Sequence, residues 1–179
     1  RCDPNSTQFC ISVINMPMPK DKGFTACISK YTRPTTLSAP TDAKAACLYP
    51  NGARAMNEAY KKGYENAVVL DPFGKVAEFA SSNLFIVKDD VLFTPKDNGT
   101  YLAGITRKTI INLCKIHNIQ IEEKDLNKDD LYSADEILST GNYGKVMYIK
   151  KLDHLEFKCG KMFKKLNEIY IDYSKNFEI

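Results

Sequence analysis

Residues 67–94, AVVLDPFGKVAEFASSNLFIVKDDVLFT, contain four short apolar runs separated by turn sequences. The runs are rich in valine and phenylalanine, which favour extended strands. Two of the intervening segments, Pro72-Phe73-Gly74 and Lys88-Asp89-Asp90, are typical of tight turns. Consecutive strands joined by loops this short pair antiparallel. The stretch therefore predicts an antiparallel meander, with strands at residues 67–70, 75–78, 83–87 and 91–94.

Upstream of this stretch, the sequence predicts two more strands and a helix. The apolar runs at residues 9–14 and 24–28 are separated by a proline-rich turn at residues 16–19. Apolar residues recur at helical spacing over residues 51–62, and Gly63 follows as a stop.

Downstream of the stretch, helices and strands alternate. The predicted elements are a helix at 107–117, a strand at 119–122, a short helix at 129–132, strands at 136–140 and 146–149, and a closing amphipathic helix at 161–173. These elements predict an α+β fold with a mainly antiparallel sheet and surrounding helices. The length of 179 residues is typical of a single domain, which we place at residues 1–179.

Composition narrows the classes of partner. The net charge of +3 is too small, and the basic residues too scattered, to indicate binding to nucleic acid or to a membrane surface. The sequence has neither a long apolar segment nor a secretory pattern at its start. The six cysteines are widely spaced without a Cys-X-X-Cys pair, so we expect no metal site and no disulfide framework. A reducing, cytoplasmic setting is the expectation.

A candidate nucleophile lies in the segment TDAKAACLY, residues 41–49, after the proline-interrupted loop 33–40. Small or apolar neighbours flank Lys44, and we expect them to desolvate its ammonium group and lower its pKa. A lysine in that state can attack a carbonyl and form a Schiff base. The alternative is a solvated surface lysine. Tyr49 follows five residues later, and its hydroxyl could reach the same ligand or simply pack elsewhere.

Two glycine-containing junctions are candidate sites for an anionic ligand. The segment Gly104-Ile105-Thr106 begins a helix, where free amide groups and the helix dipole attract anions and Thr106 could act as the cap. The segment 140–144, Thr-Gly-Asn-Tyr-Gly, lets backbone amides approach a ligand closely. An ordinary capped helix and an ordinary hairpin turn are the alternatives.

A third candidate is the carboxylate of Glu78, which stands in the apolar strand 75–78. A carboxylate buried there needs a partner, because an unpaired buried charge is costly. A ligand's ring nitrogen or an arginine would serve, or the side chain could face water.

Taken together, these sites occur in an order that resembles the large domain of class IV (fold-type IV) pyridoxal-phosphate aminotransferases, most closely the bacterial branched-chain amino acid aminotransferases. The resemblance extends over residues 9–173. It rests on these segments: Lys44-Ala45-Ala46-Cys47-Leu48-Tyr49, Gly63-Tyr64-Glu65-Asn66-Ala67, Val69-Leu70-Asp71, Glu78 with Asn83-Leu84-Phe85, Phe93-Thr94-Pro95, Gly104-Ile105-Thr106-Arg107, Ala134-Asp135-Glu136 and Thr140-Gly141-Asn142.

The resemblance implies a role for each candidate residue. Lys44 would hold pyridoxal 5'-phosphate as a Schiff base and move the proton of the substrate, while Glu78 would keep the pyridine nitrogen protonated. Tyr49 would hydrogen-bond the phenolic oxygen of the cofactor. The remaining roles concern the phosphate and the substrate: Gly104, Ile105 and Thr106 with Gly141 and Asn142 for the phosphate end of the cofactor, and Asn142 with Tyr143 near the substrate carboxylate.

The family also implies a pseudo-barrel sheet, a homodimer, and substrates that are branched-chain L-amino acids and 2-oxo acids. D-amino acid aminotransferase and aminodeoxychorismate lyase share the lysine, glutamate and Gly-Ile-Thr sites, and a non-catalytic scaffold is a further alternative. The runs Leu48-Tyr49-Pro50-Asn51 and Ser139-Thr140-Gly141-Asn142-Tyr143 favour the branched-chain group.

The sequence also departs from the family. Ser81-Ser82-Asn83 replaces the commoner Gly-Glu-Asn, Tyr148 stands where many relatives have proline, and residues 159–162 depart from a glycine-rich segment. The chain starts Arg1-Cys2-Asp3-Pro4, and the small domain that relatives carry upstream is not in this sequence. We therefore expect a large-domain fragment that is weakly active alone.

Overall fold

The computed structural model describes residues 3–15, 17 and 22–176. Within these residues the strands are β1 Phe24–Thr32, β2 Asn66–Leu70, β3 Val76–Phe79, β4 Asn83–Lys88, β5 Val91–Pro95, β6 Ile121–Lys124, β7 Glu136–Gly141, β8 Lys145–Leu152 and β9 Leu155–Glu156. The helices are α1 Tyr49–Lys61, α2 Ile105–Ile116, α3 Lys128–Tyr132 and α4 Lys161–Lys175, with 3-10 turns at Pro4–Ser6 and Ala46–Leu48. No helix of the described chain is both long and apolar enough to cross a membrane.

The strands form one mixed sheet in the order β3-β2-β1-β8-β7-β4-β5-β6, with β9 paired to β8. β1 runs parallel to β2 and β8, and β5 runs parallel to β6; the other pairs are antiparallel. The prediction of a mainly antiparallel sheet with surrounding helices is confirmed, and the sheet curls into a half-barrel.

The predicted meander is only partly correct. β2 pairs with β3 and β4 pairs with β5, but β3 and β4 are not neighbours in the sheet. The link between them bends sharply, with the amide of Phe79 donating to the carbonyl of Ser82 at 2.8 Å. A short loop ordinarily favours a hairpin, but β4 instead pairs with β7, which lies far along the chain. This bend places the end of β3 beside the start of β4.

Both faces of β4 are buried. Along β4, Leu84 and Ile86 pack into one apolar cluster, whereas Phe85 and Val87 pack into a second cluster with residues of α2 and α4. A strand covered on both faces is expected to be a continuous apolar run, which is what the sequence of β4 shows.

The predicted first helix is confirmed as α1. Ala55 and Ala59 are fully buried, and they pack in a third cluster with Cys27 and Val69 of the sheet. Gly63 follows with φ +83, a left-handed conformation that glycine adopts without steric cost. The helix forms the crossover that lets β1 and β2 run parallel.

α4 begins at the segment 159–162 that departs from the family pattern. The carboxylate of Glu136 accepts hydrogen bonds at 2.9 Å from the amides of Met162 and Phe163. A side chain at Gly160 would overlap this carboxylate. Glu136 therefore acts as a distant cap for the helix, a role that no local sequence pattern could indicate.

Residues 9–14, predicted as a strand, form no regular secondary structure, so that prediction is wrong. Phe9, Ile11, Val13 and Ile14 are all exposed. An apolar alternation stabilises a strand only where a neighbouring strand supplies hydrogen bonds and a packing surface. Of the proline-rich turn at residues 16–19, only Pro17 lies within the described residues.

Two boundaries near α2 also differ from the predictions. The N-cap of α2 is Gly104 without any side-chain cap, so the expectation that Thr106 caps the helix is wrong. At the other end, the amide of Ile119 closes the helix by donating to Cys114 at 2.8 Å. β6 consequently begins at Ile121 rather than at residue 119.

α2 is held against the sheet by a buried arginine. The Nε atom of Arg107 donates to the hydroxyl of Thr94 at 3.2 Å. Its Nη2 atom donates to the carbonyl of Pro95 at 2.8 Å and to the carboxylate of Glu123 at 2.6 Å. The side chain of Arg107 is 4 % exposed. These bonds set the position of the start of the helix relative to β5 and β6.

Replacement of Arg107 by methionine should destabilise the protein. The substitution removes the hydrogen bonds from Arg107 to Thr94, Pro95 and Glu123, so we expect the free energy of unfolding to fall by about 2–4 kcal/mol. Lys108→Met is the matched control, because Lys108 is the exposed neighbour on the same helix. Denaturant unfolding measures both, and equal stability of the two variants would contradict the anchoring role.

Candidate functional site

The candidate site is built around a buried carboxylate on β3. Glu78 is 7 % exposed, and its Oε1 atom lies 3.2 Å from Nε of Arg33. The side-chain amide of Asn83 donates to Oε2 of Glu78 at 3.3 Å. Of the alternatives left open by the sequence, exposure to water is therefore wrong, and an arginine provides the compensating charge.

Burial changes the acidity of this carboxyl group. It raises the pKa of Glu78 from its ordinary value of 4.5 to about 7, although the positive charges of Arg33 and Lys44 act in the opposite direction. The influence of Lys44 shows that the candidate nucleophile lies within electrostatic range of the buried acid.

Arg33 is a site residue that the sequence reasoning missed. Its Nε atom also donates to the carbonyl of Thr100 at 3.1 Å, and its backbone amide donates to Leu70 at 2.8 Å. An arginine in a proline-interrupted loop ahead of the candidate lysine was the available signal. Only the fold shows that it faces Glu78.

Asn83 connects the buried acid to the start of α2. Its Oδ1 atom accepts from the amide of Gly104 at 3.2 Å, and its Nδ2 atom also donates to Leu102 at 2.9 Å. A Cβ atom at Gly104 would overlap Oδ1 of Asn83, so this close approach requires glycine. Glu78 and the helix start are thus joined through one side chain.

The start of α2 is an uncapped helix terminus. Gly104 provides no side-chain cap, and the first turn contains no acidic residue. The first-turn amides of Ile105 and Thr106 have no partner within the helix, and such amides, together with the helix dipole, favour a negative charge. Thr106 is buried, whereas Ile105 is 84 % exposed.

The turn between β7 and β8 lies next to this helix start. Asn83 is the register partner of Thr140, the residue before Gly141. A Cβ atom at Gly141 would lie 3.4 Å from the Cβ of Ser82, so the turn packs closely against the β3–β4 link. Asn142 follows, exposed, and the side chain of Tyr143 is also exposed.

Lys44 itself is exposed, and so are Ala43, Ala46 and Cys47. The expectation that its neighbours desolvate Lys44 is therefore wrong for this structure. The cause is the 3-10 turn Ala46–Leu48, which buries only Leu48 and leaves the small residues facing solvent. Tyr49 begins α1 and is 58 % exposed.

Buried polar residues hold the loop that carries Lys44. The hydroxyl of Thr41, which is fully buried, donates to the carbonyl of Gly99. The same loop around Gly99 is held by Asn98, whose amide donates to the buried carboxylate of Asp71 at 2.8 Å. The other oxygen of Asp71 accepts two backbone amides of its own turn. The position of the Lys44 loop is thus coupled to the β2–β3 turn.

The structure directly links Glu78, Gly104 and the β7–β8 turn through Asn83, and it places Lys44 within electrostatic range of them. A primary amine, a buried acid and an uncapped helix start are thus grouped at one part of the fold. Among the described residues, no cluster of His, Cys, Asp and Glu is arranged to hold a metal ion.

Replacement of Glu78 by glutamine tests its acidity in the cofactor-free protein. With a pKa raised from 4.5 to about 7, the folded state binds a proton that the unfolded state has released, so Glu78's contribution to stability is lost as the pH rises through this interval. Relative to Glu78→Gln, the wild type should lose about 1–3 kcal/mol over that range.

Denaturant unfolding at a series of pH values measures this difference, with the exposed Glu156→Gln as control. A difference that stays flat, or that grows in favour of the wild type with rising pH, would mean that Arg33 holds Glu78 ionised throughout.

The fold that carries this site is similar to those of solved aminotransferases. An aminotransferase from Brucella abortus, solved bound to PLP, superposes with a TM-score of 0.87 at 42 % identity, covering 89 % of this chain and 57 % of that one. The branched-chain amino acid aminotransferase of Escherichia coli superposes with a TM-score of 0.82 at 34 % identity, covering 85 % of this chain and 51 % of that one.

In sequence, the branched-chain-amino-acid aminotransferase of Escherichia coli K12 is 35 % identical over 153 residues, which are 84 % of this chain and 50 % of the relative. The chain thus spans about half the length of the curated relatives it matches. The family model for amino-transferase class IV matches residues 2–152, which include Lys44, Glu78 and the start of α2. With that match and the shared half-barrel, the chain belongs to the class IV aminotransferase family.

Proposed function

We propose that the protein is a pyridoxal-phosphate-dependent branched-chain amino acid aminotransferase, which exchanges an amino group between L-leucine, L-isoleucine or L-valine and 2-oxoglutarate. The observation that carries the proposal is the linked arrangement of Glu78, Asn83 and the uncapped start of α2, with Lys44 in electrostatic range. Family membership and the names of the relatives support the reaction type and the substrate class.

The described residues fit pyridoxal phosphate on chemical grounds. The cofactor carries a basic ring nitrogen, an aldehyde and a phosphate, and these call for an acid, an amine and an anion site. Glu78, Lys44 and the amides of Ile105 and Thr106 are groups of those three types. When bound, pyridoxal phosphate supplies an electron sink for the negative charge left on the substrate α-carbon.

The role proposed for Glu78 is to pair with the ring nitrogen and keep it protonated. Arg33 compensates the carboxylate when no cofactor is bound, so Glu78 need not stay unpaired in the interior. Asn83 orients the same carboxylate through its 3.3 Å hydrogen bond. Ring binding and phosphate binding are then coupled, because Asn83 also holds Gly104.

Lys44 is proposed to hold the cofactor covalently through its Nζ atom and, once displaced by substrate, to move the proton at the substrate α-carbon. Its exposure in this structure is compatible with access by cofactor and substrate. Tyr49 is proposed to hydrogen-bond the phenolic oxygen of the cofactor. Asn142 is proposed to contact the phosphate, and Asn142 with Tyr143 is proposed to lie near the substrate carboxylate.

Exposed apolar side chains border the proposed site. Ile105 is 84 % exposed and Tyr143 is 64 % exposed. We propose that further protein covers these side chains in the active form, including a second copy of the chain in a homodimer. A cytoplasmic setting belongs to the same proposal, supported by the free thiols of Cys27, Cys47 and Cys114.

The proposed role of Lys44 predicts selective covalent trapping. Incubation of the full-length protein with pyridoxal phosphate should give a visible absorption band, and borohydride reduction followed by peptide mapping should place the adduct on Lys44. Lys44→Ala should lose the adduct and reduce transamination by a factor of at least about 10³, since nucleophile and proton carrier are both removed. Lys61→Ala, an exposed lysine of α1, is the control. Adducts spread over surface lysines would exclude the proposal.

Substrate specificity separates the branched-chain enzyme from its relatives within the family. L-leucine with 2-oxoglutarate should be turned over at least about ten-fold more efficiently than D-alanine, as expected for pockets that differ by several contacts. A coupled assay on the full-length protein measures both reactions. Turnover of D-alanine without L-leucine would assign the protein to the D-amino acid branch, and pyruvate release from aminodeoxychorismate would assign it to the lyase branch.

A further inference from the structure

A lysine at the β7–β8 turn is held in an unusual position. Lys145 begins β8 with φ +52, in the left-handed region that side chains other than glycine adopt at a cost. Its Nζ atom donates to Oδ1 of Asn142 at 3.1 Å. Neither the resemblance to the family nor the motifs in the sequence singled out this residue.

The bond from Lys145 determines how the amide of Asn142 is oriented. An ammonium group has only donors, so its partner must be the amide oxygen rather than the nitrogen. The NH₂ group of Asn142 is therefore directed away from Lys145, and within the described residues it makes no hydrogen bond. Asn142 therefore has a free NH₂ donor, while its amide oxygen is occupied by the ammonium group of Lys145.

The strand that leads into this turn is linked to the uncapped start of α2. Asn83 pairs with Thr140 in the sheet and accepts from Gly104 through its side chain. Thr140, which leads directly into the turn, has a buried hydroxyl with no hydrogen-bond partner among the described residues. Residues 141–145 contain no acidic side chain, and neither does the first turn of α2.

We propose that Lys145 and Asn142 act together as part of the cofactor phosphate site, with Asn142 as a hydrogen-bond donor and Lys145 as both a positive charge and the group that orients Asn142. Without Lys145, the amide could turn its oxygen towards the phosphate, which would be repulsive. The proposal rests on the proposed function, because it assigns residues to the phosphate of the same cofactor.

The test compares ligands with and without a phosphate in the full-length protein. Dissociation constants for pyridoxal phosphate and for pyridoxal are measured by absorbance titration, and inorganic phosphate is used as a competitor. Lys145→Met keeps the length of the side chain and removes its charge. The control Lys115→Met makes the same change of charge at an exposed residue of α2, about 15 Å along the helix from its start.

Lys145→Met should raise the dissociation constant for pyridoxal phosphate by about ten-fold, as expected for the loss of one charge-assisted hydrogen bond in a partly exposed site. Affinity for pyridoxal should change by less than about two-fold, because pyridoxal carries no phosphate to be recognised. Inorganic phosphate should compete less effectively against the variant. Lys115→Met should leave all three measurements within about two-fold of the wild type.

The variant Lys145→Gly distinguishes a loss of phosphate recognition from a loss of folding. Glycine suits the left-handed conformation, so this variant should be at least as stable as the wild type in thermal unfolding while still losing affinity for pyridoxal phosphate. If Lys145 had a purely structural role, its replacement would change the dissociation constants for pyridoxal phosphate and pyridoxal to the same extent.

Equal losses for pyridoxal phosphate and pyridoxal, or a Lys145→Met variant that matches Lys115→Met, would overturn the proposal and leave the proposed function intact. A wild type that forms no adduct with pyridoxal phosphate on Lys44 would overturn both.

Discussion

A carboxylate taken out of water costs several kcal/mol unless charge and hydrogen bonds replace its hydration, and Glu78 is 7 % exposed. The fold meets this cost with Arg33 at 3.2 Å and the amide of Asn83 at 3.3 Å. Each of these side chains also makes a second hydrogen bond: Arg33 donates to the carbonyl of Thr100, and Asn83 accepts from the amide of Gly104. The compensation of one buried charge therefore also fixes the loop before α2 and the start of that helix.

Buried polar groups also position the loop that carries Lys44. Thr41 is tied to Gly99, and the buried Asp71 is tied to Asn98, so the loop is positioned by groups that already serve the β2–β3 turn. Polar groups buried in this way must be satisfied, and satisfying them orders the loops that bear them. The proposed site is thus organised largely by the protein before any ligand binds, which reduces the entropic cost of binding.

Local patterns predicted those elements that depend on neighbouring residues. Helical spacing identified α1 and α4, and the stop at Gly63 follows from its own conformation. Residues 9–14 have an equally clear strand pattern but form no strand, because a strand also needs a partner. The meander prediction was wrong at the link from β3 to β4 for a similar reason. Which strands become neighbours depends on the packing of the whole sheet and not on the length of one loop.

The sequence by itself determined the family, the helices and the identity of the candidate residues, since residue type, order and local periodicity are properties of the chain. It could not determine that Lys44 is exposed, that Arg33 faces Glu78, or that Lys145 orients Asn142. The Arg33–Glu78 pair joins residues 45 positions apart, and its existence depends on how the curled sheet brings β3 against the loop after β1. Burial and long-range pairing are set by packing in three dimensions, and therefore only the tertiary structure decided them.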